Sequence, residues 1–303
     1  MTERTAARAR VTTERIATRA RVWPPPQWLP RVSLHALSSI LAVLFLAPFV
    51  WSILSSLKSP AEILVFPPRW LPARPQWSNY VQVWERVPFA RFLANTATIT
   101  AASVLGQVVS ATLVAYGFAR FSSPGRDALF MIVLATLILP PQVTLIPRFI
   151  LFRMLGWLDT FLPLTVPAYF GGGAFSIFLL RQFMLTLPLE LDEAAELDGA
   201  GSLRTLVTVL LPLMKPALAT VAIFAFLGNW NDFMGPLIYL RSMEKYTLAL
   251  GLLFFRNTPA FEGEIKEALL MAASLMVTAP CIALFMVAQG YFVRGVVMSG
   301  IKG

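Results

Sequence analysis

Two residue types that build many active sites and secreted scaffolds are almost missing. The 303 residues contain one cysteine, Cys281, and one histidine, His35. A single cysteine excludes an internal disulfide and any cluster of thiolate metal ligands, and a single histidine excludes sites that need two imidazoles. Charge is also scarce, at 14% Asp, Glu, Lys and Arg against 57% hydrophobic residues, with a mean hydropathy of +0.67. That balance lies outside the range of soluble domains and makes a bilayer the expected solvent. Gly-x-x-x-x-Gly-Lys-Ser/Thr, His-Glu-x-x-His and Gly-x-Ser-x-Gly are absent from the chain. No nucleotide, metal or other cofactor is therefore expected on it, and no enzymatic activity. Cys281, which follows Pro280, reads as a small packing residue.

What is abundant is long uncharged sequence. A membrane-crossing helix needs roughly 20 apolar residues, because each adds about 1.5 Å against about 30 Å of hydrocarbon. Residues 32–57, 92–119, 128–147, 160–180 and 268–293 are free of charge. A sixth apolar run, about 206–230, is interrupted by Pro212, Lys215 and Pro216. The expectation is an all-α protein of six transmembrane helices, near 34–57, 92–118, 128–150, 160–180, 206–230 and 268–292. Residues 246–255 are apolar but too short to cross, which predicts a re-entrant, interfacial or protein-covered segment.

The net charge of +9 does not describe a nucleic-acid surface, since seven arginines fall in the first 31 residues and no second basic stripe exists. Residues 1–31 read as a basic cytoplasmic tail ahead of a retained signal anchor, with an Arg-rich transit peptide as the alternative. Six crossings from that start put both termini, the 120–127 turn and the 181–205 loop on the cytoplasmic side of the membrane. Segments 58–91, 148–159 and 231–267 then lie outside, although they hold eleven Lys or Arg, so orientation rests on the tail and on the 181–205 loop.

That loop contains Glu190, Asp192, Glu193, Glu196 and Asp198, five carboxylates in nine residues with no basic neighbour in sequence. Helical spacing places Leu191, Ala194, Ala195 and Asp198 on adjoining faces, with Ala195 and Gly199 as a nearly bare strip for close approach of another backbone. Anionic lipid repels such a helix, so a protein groove is the better partner. From charge alone, a solvated connector explains the loop equally well.

Spacing separates the two readings. Glu193-Ala194-Ala195, then Gly199, then Val209 and Leu211-Pro212 resemble the EAA loop of binding-protein-dependent ABC importer permeases, with Val209 where isoleucine is usual. Asn95-Thr96, the stretch from Phe178 to Phe183, Trp230-Asn231-Asp232-Phe233 and the stretch from Gln289 to Gly295 resemble the carbohydrate branch, the maltose-type second permease subunit. The likeness spans about residues 35–303. It implies a type I importer permease, paired with a second homologous permease, two ATPase subunits carrying ATP and Mg, and an extracytoplasmic solute-binding protein that delivers a sugar-like solute. It also implies a bacterial or archaeal cytoplasmic membrane, and a coupling role at the ATPase for Glu193, Ala194, Ala195, Asp198, Gly199, Leu211 and Pro212.

Three further groups follow from the residues themselves. Pro140-Pro141 and Gly171-Gly172-Gly173 interrupt helical hydrogen bonding within spans and are expected to face the interior, as pathway lining or as packing. Trp230, Asn231, Asp232 and Tyr239 open the 231–267 segment, as a membrane-interface belt or a docking surface for the binding protein. Lys215, placed about two turns into the fifth span, is expected to snorkel to the headgroups. A self-sufficient carrier or channel is the rival function, and apart from Lys215 the expected spans hold almost none of the ionisable residues that secondary carriers use.

Overall fold

Helices account for every regular element among the described residues, 28–257 and 266–300, of the computed structural model. Residues 1–27, most of the expected basic tail, lie outside them. The chain forms two units, divided between Trp51 and Ser52.

The described part of the first unit is helix α1 (Trp28–Ser56) up to that division. Its run Leu34–Ser56 has a mean hydropathy of 2.3 and length enough to cross a bilayer, as expected for the first span. Leu34, Ile40, Val43 and Phe45 are exposed, leaving an apolar surface suited to lipid or a partner helix.

In the second unit, helix α2 (Ser78–Arg86) precedes helix α3 (Phe89–Arg120), which at 32 residues is about 48 Å long. Then come α4 (Arg126–Ala135), α5 (Leu145–Met154), α6 (Ala174–Met184), α7 (Glu190–Leu197), α8 (Lys215–Trp230), α9 (Met234–Tyr239), α10 (Leu248–Asn257) and α11 (Glu267–Gly300). One apolar core joins the carboxyl-terminal half of α3 to α6, to the segment 206–214 and to the start of α8, through Ala111, Ala115, Tyr116, Leu180, Met184, Leu210 and Met214. A second core joins the start of α3 to the end of α8, to α10 and to α11, through Phe89, Phe92, Trp230, Leu248, Phe255 and Ala273. Helix α3 takes part in both. Small side chains, Ser103, Gly106, Ser110 and Ala111, line its middle and let neighbouring backbone approach closely.

Among the described residues, four stretches are long and apolar enough to cross a membrane: Leu34–Ser56, Phe89–Arg120, Leu162–Met184 and Glu267–Gly290. The two other expected spans are bent, Arg126–Ile138 against Pro141–Met154 by 96° and Ser202–Leu213 against Lys215–Trp230 by 84°. Counting each bent pair as one crossing gives six.

The bends have local causes. A residue before proline is pushed out of the α region. Leu139 (ψ 119°) and Pro140 (ψ 133°), each followed by a proline, are accordingly extended. Of the two expected readings of Pro140 and Pro141, packing inside this chain does not hold, because both are exposed. In the second bent pair, the fifth expected span, Pro216 has no N–H to give the Pro212 carbonyl, and the chain turns at buried Met214. Lys215 is thereby the first residue of α8, at the bend within that pair, and exposed.

The 162–184 stretch is also interrupted. Two short turns, Leu162–Thr165 and Val166–Tyr169, precede Gly171, Gly172 and Gly173, whose φ angles are all positive (95°, 65° and 83°). Backbone that leaves the helix inside a bilayer must find protein partners. Here α3 supplies them: Ser103 Oγ donates to the Leu164 carbonyl at 2.9 Å and Ser110 Oγ to the Ala168 carbonyl at 2.8 Å.

Candidate functional site

The acidic segment folds as expected into a helix, α7. Three acids, Glu190, Asp192 and Glu193, sit in its first turn, where the helix dipole favours negative charge. At its end, Gly199 N–H donates to the Glu196 carbonyl and Ala200 N–H to the Ala195 carbonyl, both at 2.9 Å. This is a Schellman turn, which needs a left-handed residue, and Gly199 has φ 77°. A Cβ at Gly199 would meet nothing within 4 Å, so the turn faces open space.

Burial sorts the motif. Glu190, Glu193, Ala194, Glu196, Asp198 and Gly199 are exposed, and Leu197 is exposed to 90%. Ala195, by contrast, is only 8% exposed and faces the chain's own core. The bare strip expected from Ala195 and Gly199 is corrected accordingly: Ala194 and Gly199 present the accessible backbone, while Ala195 seats the helix. Leu211 is half-buried and Pro212 exposed, next to buried Leu206, Leu210 and Met214, so the second half of the motif fastens the loop into the first core.

The carboxylates are not without a basic neighbour in space. Arg120, at the end of α3, brings Nε to 3.0 Å from Asp192 Oδ2 with both side chains largely buried, and the charges touch without hydrogen-bond alignment. The same guanidinium donates to the Leu187 carbonyl at 3.2 Å, and Tyr116 Oη donates to the Ser202 carbonyl at 3.0 Å. Helix α7 is thus held on both sides by the last turns of α3. Sequence reading missed Arg120, whose one signal was its place at the end of a span.

The glycine triplet divides. A Cβ on Gly172 would sit 2.5 Å from the Gln107 carbonyl oxygen and 2.7 Å from Ala111, so that glycine packs against α3. A Cβ on Gly171 or Gly173 would meet nothing within 4 Å.

The group at the start of the 231–267 segment also separates. Trp230 is 5% exposed, stacks on Phe226 at 5.1 Å and donates its indole N–H to the Val277 carbonyl at 3.0 Å. Tyr239 is equally buried and meets Phe152 edge-on at 5.2 Å. Neither can serve as an interface belt or docking surface, a correction that leaves exposed Asn231 and half-buried Asp232, which accepts from Gly235 N–H at 3.1 Å.

Asp159 is a further residue that sequence reading passed over. It adopts φ 56° and gathers the segment after α9: its carboxylate accepts from Arg241 N–H, Ser242 N–H, Ser242 Oγ and Lys245 Nζ, and its own N–H donates to the Tyr239 carbonyl. The Ser242 hydroxyl above all, with the two backbone N–H groups, holds its carboxyl far below the usual carboxylate range. The 246–255 segment is protein-covered, as one of its expected readings had it, since α10 buries Leu248, Leu250 and Phe255.

Described residues that are helical in every regular element, several membrane-spanning stretches and an acidic helix with one exposed side have the architecture of a transporter's membrane subunit. The sequence profile of the binding-protein-dependent transport system inner membrane components matches residues 107–298. Among curated relatives, the diacetylchitobiose uptake permease NgcG of Streptomyces coelicolor is 31% identical over 84% of this chain and 83% of its own. The trehalose/maltose permease MalG of Thermococcus litoralis is 31% identical over 91% and 98%. A solved bacterial ABC transporter involved in alginate import superposes with a TM-score of 0.79 at 27% identity, covering 89% of this chain and 99% of that one. A second structure, of an alginate transporter bound to its pentasaccharide-loaded periplasmic protein, shares the fold at a TM-score of 0.61 and 17% identity. The chain belongs to the family of binding-protein-dependent transport system inner membrane components. It is a multi-pass permease subunit of an ABC importer.

Proposed function

We propose that this permease imports a sugar, and that α7 seats in a cleft of a separate ATPase subunit. The observation that carries the reading is the outward face of α7: four exposed carboxylates, exposed Leu197 and Ala194, and an open glycine turn, all on a helix anchored to the core from behind. Such a face suits a protein groove better than anionic lipid. The solute class rests on relatives named for diacetylchitobiose and for trehalose/maltose, although another relative is named for sn-glycerol-3-phosphate.

In this reading both termini and α7 lie on the cytoplasmic side of a bacterial or archaeal membrane. A second permease completes the pathway, two ATPase subunits bind ATP and Mg, and an extracytoplasmic binding protein docks on the opposite face. Closure of the ATPase pair moves α7, and the rigid bundle converts that movement into a switch of access.

Gly199→Trp in the reconstituted complex tests it. The turn faces open space, so the bulky side chain leaves the membrane bundle intact while it strains a left-handed position and blocks approach to the cleft. Normal membrane levels with lost transport, and loss of ATPase binding or of its response to loaded binding protein, are expected. Parental transport with ATPase bound would make α7 a plain connector. Glu193→Ala is expected to be mild, because an exposed charge contributes about 0–1 kcal/mol.

A further inference from the structure

Helix α3 grips two distant segments of the chain, one at each end. At the carboxyl end, Arg120 holds Asp192 and the Leu187 carbonyl, and Tyr116 holds the Ser202 carbonyl, so α7 is fastened before and after its own length. At the amino end, the Asn95 side-chain amide donates to two carbonyls of one short stretch, that of Glu244 at 2.8 Å and that of Tyr246 at 2.9 Å. One residue on, Thr96 Oγ1 accepts the Leu248 N–H at 2.8 Å in a buried position. Phe92 closes over Gly251 so tightly that a Cβ there would fall 2.4 Å from the ring. The start of α10 and the chain before it are therefore bolted to the first turns of α3.

Other routes between the two segments are interrupted. Chain leaving α7 turns by 84° at Met214 before α8 begins, so a push along Ser202–Leu213 does not run down α8. The Arg126–Met154 pair is bent by 96°, and the Leu162–Met184 stretch breaks at three positive-φ glycines. Helix α3 runs unbroken for 32 residues through both cores, and an unbroken hydrogen-bonded helix resists bending and compression better than any of these.

We infer that α3 is the rod through which movement of α7 reaches the 241–251 segment on the binding-protein face, with Arg120 and Asn95 as the positioning residues at its two ends. This rests on the reading of α7 as the ATPase-docking helix. Binding protein arriving at one end and ATP closure at the other bias the same rigid body, which makes the coupling reciprocal.

The test is the ratio of ATP hydrolysis with and without loaded binding protein in the reconstituted full complex. Asn95→Leu removes both donors at the end remote from the ATPase. It is expected to lower the ratio at least about fivefold, the lower bound of ordinary allosteric coupling, with basal hydrolysis unchanged. Arg120→Met is expected to lower it similarly, and Arg120→Lys, which keeps a charge for Asp192, to restore most of it. The double variant Arg120→Met/Asn95→Leu should do no worse than either single variant, because a rod released at one end already transmits nothing, whereas independent effects multiply. A stimulation ratio within twofold of the parent in Asn95→Leu, or multiplying effects in the double variant, overturns the inference. If Arg120→Met does not assemble, the Asn95→Leu ratio alone decides. Failure of the underlying reading looks different: Gly199→Trp would then stay fully coupled while the parent complex remains responsive.

Discussion

A Cβ built on Gly172 would lie 2.5 Å from the carbonyl oxygen of Gln107, so the broken 162–184 stretch meets α3 backbone to backbone. Gly172→Ala combines that clash with a left-handed φ of 65°, whereas Gly173→Ala carries only the φ of 83° with open space around it. The left-handed conformation costs an L-residue about 1–2 kcal/mol. Gly173→Ala is expected to yield a folded, modestly destabilised permease in detergent. Gly172→Ala is expected to lower the yield of monodisperse protein much further. Equal thermal stability of the two variants would show that the close approach does not limit the fold.

Neighbouring alanines of the acidic helix should behave oppositely. Ala195→Leu forces methylenes into a filled site, at about 1–3 kcal/mol, and is expected to reduce the amount of folded protein in the membrane. Ala194→Leu adds bulk to an exposed face and is expected to leave membrane levels unchanged while weakening capture of the ATPase subunits. Membrane levels and co-purified ATPase, measured side by side, separate the two.

Asp159→Ala should loosen the turn that ties residues 156–160 to 239–245, leaving the Arg241 and Ser242 N–H groups without their acceptor at about 1 kcal/mol or more. Asp159→Asn keeps an acceptor and a residue that tolerates positive φ, so it is expected to be milder. Because the folded carboxyl titrates far below its unfolded value of about 3.9, its stabilisation is complete above that value and is lost only as pH falls below it. The difference in thermal stability between parent and Asp159→Ala should therefore stay constant from pH 8 to pH 5. A difference that shrinks across that range would contradict the paired geometry.

Single cysteines in a Cys281→Ala background locate the surface of the 230–232 corner. Position 231 is expected to react with a membrane-impermeant maleimide added from the extracytoplasmic side, and position 230 to stay protected, since Trp230 is 5% exposed. Labelling of position 194 only from that same side would reverse the proposed orientation.

Hydrophobic run length and one motif determined most of the architecture in advance. A bilayer sets the length of an apolar run, so the first, second, fourth and sixth spans could be placed from charge-free stretches, and α7 from its acids and its closing glycine. Tertiary structure alone decided which side of each element is used. Helical spacing put Ala194 and Ala195 on adjoining faces, and nothing local ranks them; only the folded chain, where the acidic helix packs on residues 202–210, buries Ala195 and turns Ala194 out. Pro140-Pro141 announced a break, but whether the bend packs against the chain's own core depends on neighbours distant in sequence, and both prolines stay exposed. Trp230 and Tyr239 read as interface aromatics until Val277 and Phe152, 47 and 87 positions away in the chain, buried them. Arg120 with Asp192, and Asn95 with Glu244 and Tyr246, are pairings across 72 to 151 positions, and no local pattern encodes them, because only the closed bundle brings those atoms within reach.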